Sequence, residues 1–234
     1  MLQALPNSGQ AKGFNMELTE AMRTTGTCRR YLSDPVPDEV FRKAFDVARF
    51  GPQGGNRQPV RWIVVREQAR KQALADLYLP MWDAYFAGIT GGTVAVGALP
   101  KTVQDADFFA RHLAEVPAIV VVCAAVDGLH PTDHELGRLS VVGGASIYPT
   151  VQNLCLTLRD QGVATAVTTL LCAEEPKVRE LLEIPEGYIT AAHIAVGYPE
   201  RPFPKKLTRD PVEQIVALET FTQPMFDATL SPAL

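Results

Sequence analysis

Three stretches of this chain gather residues suited to holding an anion and a flat polar ring. The first is "TTGTCRRY" at 24–31, where Arg29 and Arg30 follow Thr24, Thr25 and Thr27. Guanidinium forks and short hydroxyls suit a phosphate, which accepts bidentate, charge-assisted hydrogen bonds. The same arginines would equally serve as a solvated patch pairing with Asp34, Asp38 or Glu39. The second stretch, "GPQGGNRQPV" at 51–60, sets Pro52, Gly54, Gly55 and Pro59 around Gln53, Asn56 and Gln58. A plain connector needs one or two turn formers. This many let the backbone come close to a ligand while Asn56 and Gln58 meet a polar heteroaromatic edge. The third, "GYPERPFPKKLTRDP" at 197–211, carries Arg201, Lys205, Lys206 and Arg209 in a proline-rich loop. It reads either as a second grip on the same phosphate or as a surface connector whose cations balance nearby acids.

Other chemistries lack their signatures. No G-x-x-x-x-G-K-[ST] cradle, no G-x-G-x-x-G after a strand and no G-x-S-x-G elbow is present. His130 and His134 bracket "HPTDH", but Pro131 disfavours the helix that would align them on a metal, so no metal site is assigned. His112, His193, Trp62 and Trp82 read as packing or surface residues. No side chain is assigned a catalytic role.

The elements that must position these clusters follow from pattern and bulk composition. The 234 residues are 47% hydrophobic and 21% charged, an ordinary globular mixture compatible with one domain over 16–234. A net charge of −4 argues against nucleic acid and anionic membrane as partners. No apolar run reaches the roughly 20 residues of a membrane span. Residues 1–15 lack a basic start followed by an apolar stretch and read as a loose extension rather than a signal peptide. Cys28, Cys123, Cys155 and Cys172 contain no C-x-x-C pair, which predicts reduced thiols and a cytoplasmic chain.

Helical spacing is read over 17–24, 35–50, 67–78, 104–116, 174–182 and 211–219. It is strongest over 145–162, regular after Pro149 and ended by Gly162. Strands are read at 61–65, 118–126 and 188–198, the second buried on both faces, with 163–171 an extended segment. Residues 80–103, apolar and rich in glycine, read as a mobile segment near a site. Alternation of this kind implies one sheet between helical layers. Phe221, Met225, Phe226 and Leu230 in the tail need cover, which a second subunit would supply.

In this order the clusters resemble the nitroreductase family of flavin mononucleotide (FMN)-dependent oxidoreductases. "TGTCRRY", "DPVPDEVFRKAFDVARF" and "GPQGGNRQPVRW" match the family's opening nearly in register. "VQNLCLTLRDQGVATAVTTLL" and "VGYPERPFPKKLTRDPVEQIV" are similar to its Q-N helix and final strand, so the resemblance spans roughly 16–216. It implies an α+β, three-layer α/β/α sandwich with a mostly antiparallel sheet. It also implies a dimer with FMN at the interface and exchanged C-terminal arms. Carried over, it places Thr27, Cys28 and Arg29, with Arg30 beside them, on the phosphate and ribityl chain. Lys206 and Arg209 would close the phosphate, Pro52, Gln53, Gly54 and Asn56 would lie along the flavin, and Thr168 and Thr169 would sit by the isoalloxazine.

The implied activity is hydride transfer from NAD(P)H to nitroaromatic, quinone or similar flat acceptors by alternate binding. A flavin-storing module, or a flavin oxidase acting on an organic substrate, are the other readings left open. Two departures stand out: Gly26 occupies a position where the family often has arginine, and Gln53 replaces a common serine. Arg23 or Arg30 could compensate for the first. Thr27 stands where the flavin-cleaving relatives have Asp, and residues 74–110 lack the Glu, Tyr and Lys set of the dehalogenating relatives. Both specialised activities are therefore disfavoured.

Overall fold

The computed structural model describes residues 16–91 and 96–227. The extension expected over 1–15, Leu230 and residues 92–95 lie outside the described residues. The chain divides into two compact units, Met1–Phe203 and Pro204–Leu234.

The first unit is built on a sheet of β1 (Val60–Val65), β2 (Ala118–Ala125), β3 (Ala164–Thr168) and β4 (Tyr188–Gly197). Its strand order is β1-β2-β4-β3. Every neighbouring pair is antiparallel. Helices α1 (Leu18–Thr24), α2 (Asp38–Ala48), α3 (Gln68–Thr90), α4 (Lys101–Arg111), α5 (Tyr148–Asp160) and α6 (Glu175–Leu181) surround it.

Strand β2 shows why there are three layers. It is apolar at every position, and its side chains alternate between faces. Val120 and Val122 pack with Phe41 of α2 and Leu154 and Leu158 of α5. Ile119, Val121 and Cys123 pack with Leu74 of α3, Phe109 of α4 and Val178 of α6. A bulge between Val122 and Cys123 shifts the register against β4. The expected α+β sandwich is thus present.

The largest correction concerns residues 80–90, expected to be mobile. Helix α3 continues through Pro80 to Thr90 and ends at Gly91, whose φ of 64° is left-handed. Proline inside a helix costs about 3 kcal/mol. Tertiary anchors offset it: Tyr78 and Trp82 are buried, and Trp82 Nε1 donates to Asp107 Oδ1 at 2.9 Å. Smaller corrections shorten three other elements. The helix at 104–116 stops at Arg111, the extended segment 163–171 pairs only over Ala164–Thr168, and the helix at 211–219 keeps Val212–Ile215.

All four cysteines are unpaired, Cys123 and Cys155 fully buried. Among the described residues no helix is long and apolar enough to cross a membrane. In the second unit, α7 (Val212–Ile215) precedes a bridge between Ala217 and Pro224. Among its described residues none is buried, and Phe221 is 99% exposed.

Candidate flavin site

The chain leaves α1 at Thr24 and runs beside β3, the strand at one edge of the sheet. Cys28 N–H donates to Thr165 O at 2.9 Å, and Tyr31 Oη donates to Cys28 O at 2.8 Å. Gly197 makes room for this crossing, since a Cβ there would lie 2.9 Å from the Tyr31 ring. The segment therefore has a fixed course, with Thr27 exposed and Arg29 half-buried.

The structure splits the arginine pair. Arg30 turns to α4, where Asp105 and Phe108 lie one turn apart. Its Nε meets Asp105 Oδ1 at 3.0 Å and its guanidinium lies 3.6 Å over the Phe108 ring, which stacks in turn on His112. Asp105 also pairs with Lys101 and Arg201. Although burial works against its charge, hydrogen bonds from Arg30 and Lys101 hold the Asp105 carboxyl below its ordinary range. Neither Asp34, Asp38 nor Glu39 takes the pair: Asp38 meets Arg66 and Glu39 meets Arg42.

Arg29 has a different setting. Its side chain makes no hydrogen bond and no ion pair among the described residues. Its charge reaches Tyr78, a residue of α3 only 3% exposed. Thr168 Oγ1 donates to Tyr78 Oη at 3.4 Å, and Thr169 beside it is exposed. Burial pushes the Tyr78 hydroxyl up, while the Thr168 contact and the Arg29 charge act the other way. Thus Tyr78 takes a contact from Thr168, at the end of β3, and feels the charge of Arg29. A half-buried cation with no carboxylate at ion-pair distance favours an anionic or electron-rich ligand, although Glu115 and Glu200 line the adjoining cleft. The cleft beside it, lined by Arg29, Arg30, Phe108 and His112 among others, holds about 170 Å³. Sites for drug-sized ligands run to roughly 300–1,000 Å³.

The glycine-rich loop lies elsewhere. Gly51 packs on the start of α5, and Gly54 N–H donates to Ser146 Oγ at 3.0 Å. Gly55, Asn56 and Gln58 have left-handed φ of 59°, 53° and 51°. Such angles are easy for Gly, tolerated by Asn and strained for Gln, which explains the density of turn formers. Pro52, Gly54 and Asn56 are exposed, while Gln53 folds back so that its Nε2 donates to Arg49 O. The two halves of the expected site stand at opposite ends of α5. Thr150 touches the glycine loop, and Arg159 donates to Thr24 Oγ1 at 3.2 Å. Nine residues of helix separate them by about 14 Å. The glycine loop also feeds β1, at the opposite sheet edge from β3.

Comparison with known proteins gives the family and agrees with the fold. The family model described as "Nitroreductase family" matches residues 22–198. The chain belongs to the nitroreductase family. Among its relatives, an iodotyrosine deiodinase of Nematostella vectensis is 24% identical over 221 residues, covering 92% of this chain and 80% of that one. An NADH dehydrogenase of Thermus thermophilus is 28% identical over 197 residues, 80% of this chain and 89% of that one. A crystal structure of oxidized iodotyrosine deiodinase bound to FMN and 3-iodo-L-tyrosine superposes with a TM-score of 0.67 at 23% identity. It covers 88% of this chain and 100% of that one.

Within this nitroreductase-family chain, Lys206 and Arg209 belong to the second unit, both exposed, with Arg209 Nη1 donating to Thr208 O. Sequence reasoning missed Tyr78, Ser146 and Asp105. Tyr78 shares a helical stripe with Leu74 and Trp82 and so reads as core. Ser146 and Asp105 carry no local signal, because their partners lie 92 and 75 residues away.

Gly51 gives a test of the loop's anchorage. A Cβ there would lie 2.6 Å from Thr150 N and 2.9 Å from Pro149 C, both backbone atoms that cannot rotate away. Gly51→Ala is expected to destabilise the chain by about 1–3 kcal/mol, measured by urea unfolding. A variant as stable as the parent would show that the loop yields.

Proposed function

We propose that the chain is an FMN-dependent oxidoreductase that takes a hydride from NAD(P)H and delivers it to flat electrophiles such as nitroaromatics or quinones. One observation carries this reading. A half-buried guanidinium with no carboxylate at ion-pair distance, Arg29, lies on the segment paired to the β3 edge and acts on Tyr78, the hydrogen-bond partner of Thr168, in a nitroreductase-family chain. Those residues fit the group, since an arginine answers the electron-rich, anionic character of FMN and exposed Thr27 and Thr169 add hydroxyls.

Bound FMN would supply the redox chemistry, accepting a hydride from the nicotinamide and passing it to the acceptor that replaces it. The protein's part is positioning and exclusion of water. Thr27, Cys28 and Arg29 hold one side of the cofactor, with Cys28 contributing through its backbone pairing to Thr165. Thr168 and Thr169 present hydroxyls and amides at the ring end, on the same side as Arg29. Pro52, Gln53, Gly54 and Asn56 cover the ring from a second copy of the chain. A homodimer is supported by the separation of the two halves along α5 and by exposed Phe221, Met225 and Phe226. No protein acid or base is required, since solvent can exchange the protons.

Anaerobic addition of NADH or NADPH to the flavin-loaded protein is expected to bleach its visible absorbance, and nitrofurazone to restore it. Flavin that stays oxidised under both nicotinamides would contradict the reading.

A further inference from the structure

The loop at 24–31 lacks an arginine at Gly26, and neither expected substitute takes its place. Arg30 is committed to Asp105 and Phe108, and Arg23 lies exposed on α1. A third guanidinium reaches this loop from an element the motif does not include. Arg159, in the last turn of α5, donates from Nη2 to Thr24 Oγ1 at 3.2 Å. The Thr24 hydroxyl donates in turn to Glu20 O, which fixes its lone pairs toward Arg159. The Phe203 ring covers one face of the guanidinium, 3.7 Å from Cζ.

Part of the Arg159 side chain is unmatched. Its Nε is buried and meets no hydrogen-bond acceptor, and no carboxylate stands within ion-pair distance among the described residues. Glu20 reaches it only through the field, and neighbouring Asp160 accepts from Met16 N–H instead. Partial burial lowers its proton affinity, with the field of Glu20 acting the other way. Arg159 marks one end of the 24–31 segment and Arg29 the other. An elongated ligand with an anionic end would meet a guanidinium at each.

We propose that Arg159 anchors the phosphate of FMN, taking the role that an arginine at position 26 would have had. The assignment rests on the flavin reading above and deepens it. Arg29 then serves the ring end with Thr168, and Phe203 keeps Arg159 extended toward Thr24.

Flavin selectivity tests this, because riboflavin lacks the phosphate. Dissociation constants for FMN and riboflavin are measured by fluorescence quenching on the full chain and on Arg159→Met, with Arg159→Gln as a second variant should the first not fold. FMN affinity is expected to fall about 10- to 100-fold, the worth of one charge-assisted hydrogen-bonded contact, while riboflavin affinity holds within about threefold. Arg159→Lys, which keeps the charge, is expected to recover part of the loss. Equal FMN affinity in parent and variants would remove the assignment. So would a parallel loss of both flavins, which marks a purely structural role. A parent chain that takes up neither flavin would remove the flavin reading and this assignment with it.

Discussion

Acidifying the protein from pH 6.5 to about 4 is expected to cost about 3 kcal/mol of stability through His193 alone. His193 lies on β4, 1% exposed, and neither ring nitrogen has a hydrogen-bond partner. Its neighbours across the sheet are Val121 and Thr168. Burial lowers its pKa from 6.5 to about 4. A depressed histidine stays neutral in the folded chain while the unfolded chain gains a proton below pH 6.5. Stability is therefore whole above that value, declines as the pH falls, and levels off once the folded state also protonates.

The Asp133 carboxyl lies below this window, held at about 2 by bonds from Ser140, Val141 N–H and Arg138. His193→Leu removes an unpaired buried polar group, so it should be at least as stable as the parent near neutrality. It should also lose most of the slope. Urea midpoints between about pH 7 and about pH 4.5 decide it. A variant with the parent's slope would place the acid sensitivity elsewhere.

How legible this molecule was depends on whether a residue's determinants are local. Strand β2, with eight apolar residues in a row, and α5, with Gly162 at its end, are written in their own residues. Helix α3 is not. Up to Pro80 its pattern is plain, but beyond that the helix survives because Trp82 reaches Asp107 on another helix. The site divides in the same way. The types and spacing in 24–31 and 51–60 marked both loops as candidates, and the left-handed angles at Gly55, Asn56 and Gln58 follow from the turn formers there. Which arginine remained available was hidden, since Arg30 is claimed by Asp105, 75 residues on. Arg159 was hidden more deeply, because it enters the loop from a helix whose pattern reads as packing.

The second large effect concerns how many chains make one site. If the flavin lies between the 24–31 segment of one protomer and the 51–60 loop of its partner, damage to either should abolish binding, and the two lesions should complement. Arg29→Glu reverses the charge at the first half. Gly54→Trp suits the second, because a Cβ there meets only Ser146 Oγ, at 3.6 Å, so the fold tolerates a bulky group that fills the ring's space.

Either variant alone should be colourless. In a mixed dimer one site carries both lesions and the other carries none. Random pairing makes half the dimers mixed and half of their sites intact, so co-expressed variants should hold about a quarter of the parent's FMN per chain. Flavin absorbance of the co-purified mixture is the deciding measurement. Recovery near that fraction is the predicted result; mixed dimers that remain colourless, or either single variant retaining full flavin, would contradict a site shared between two chains.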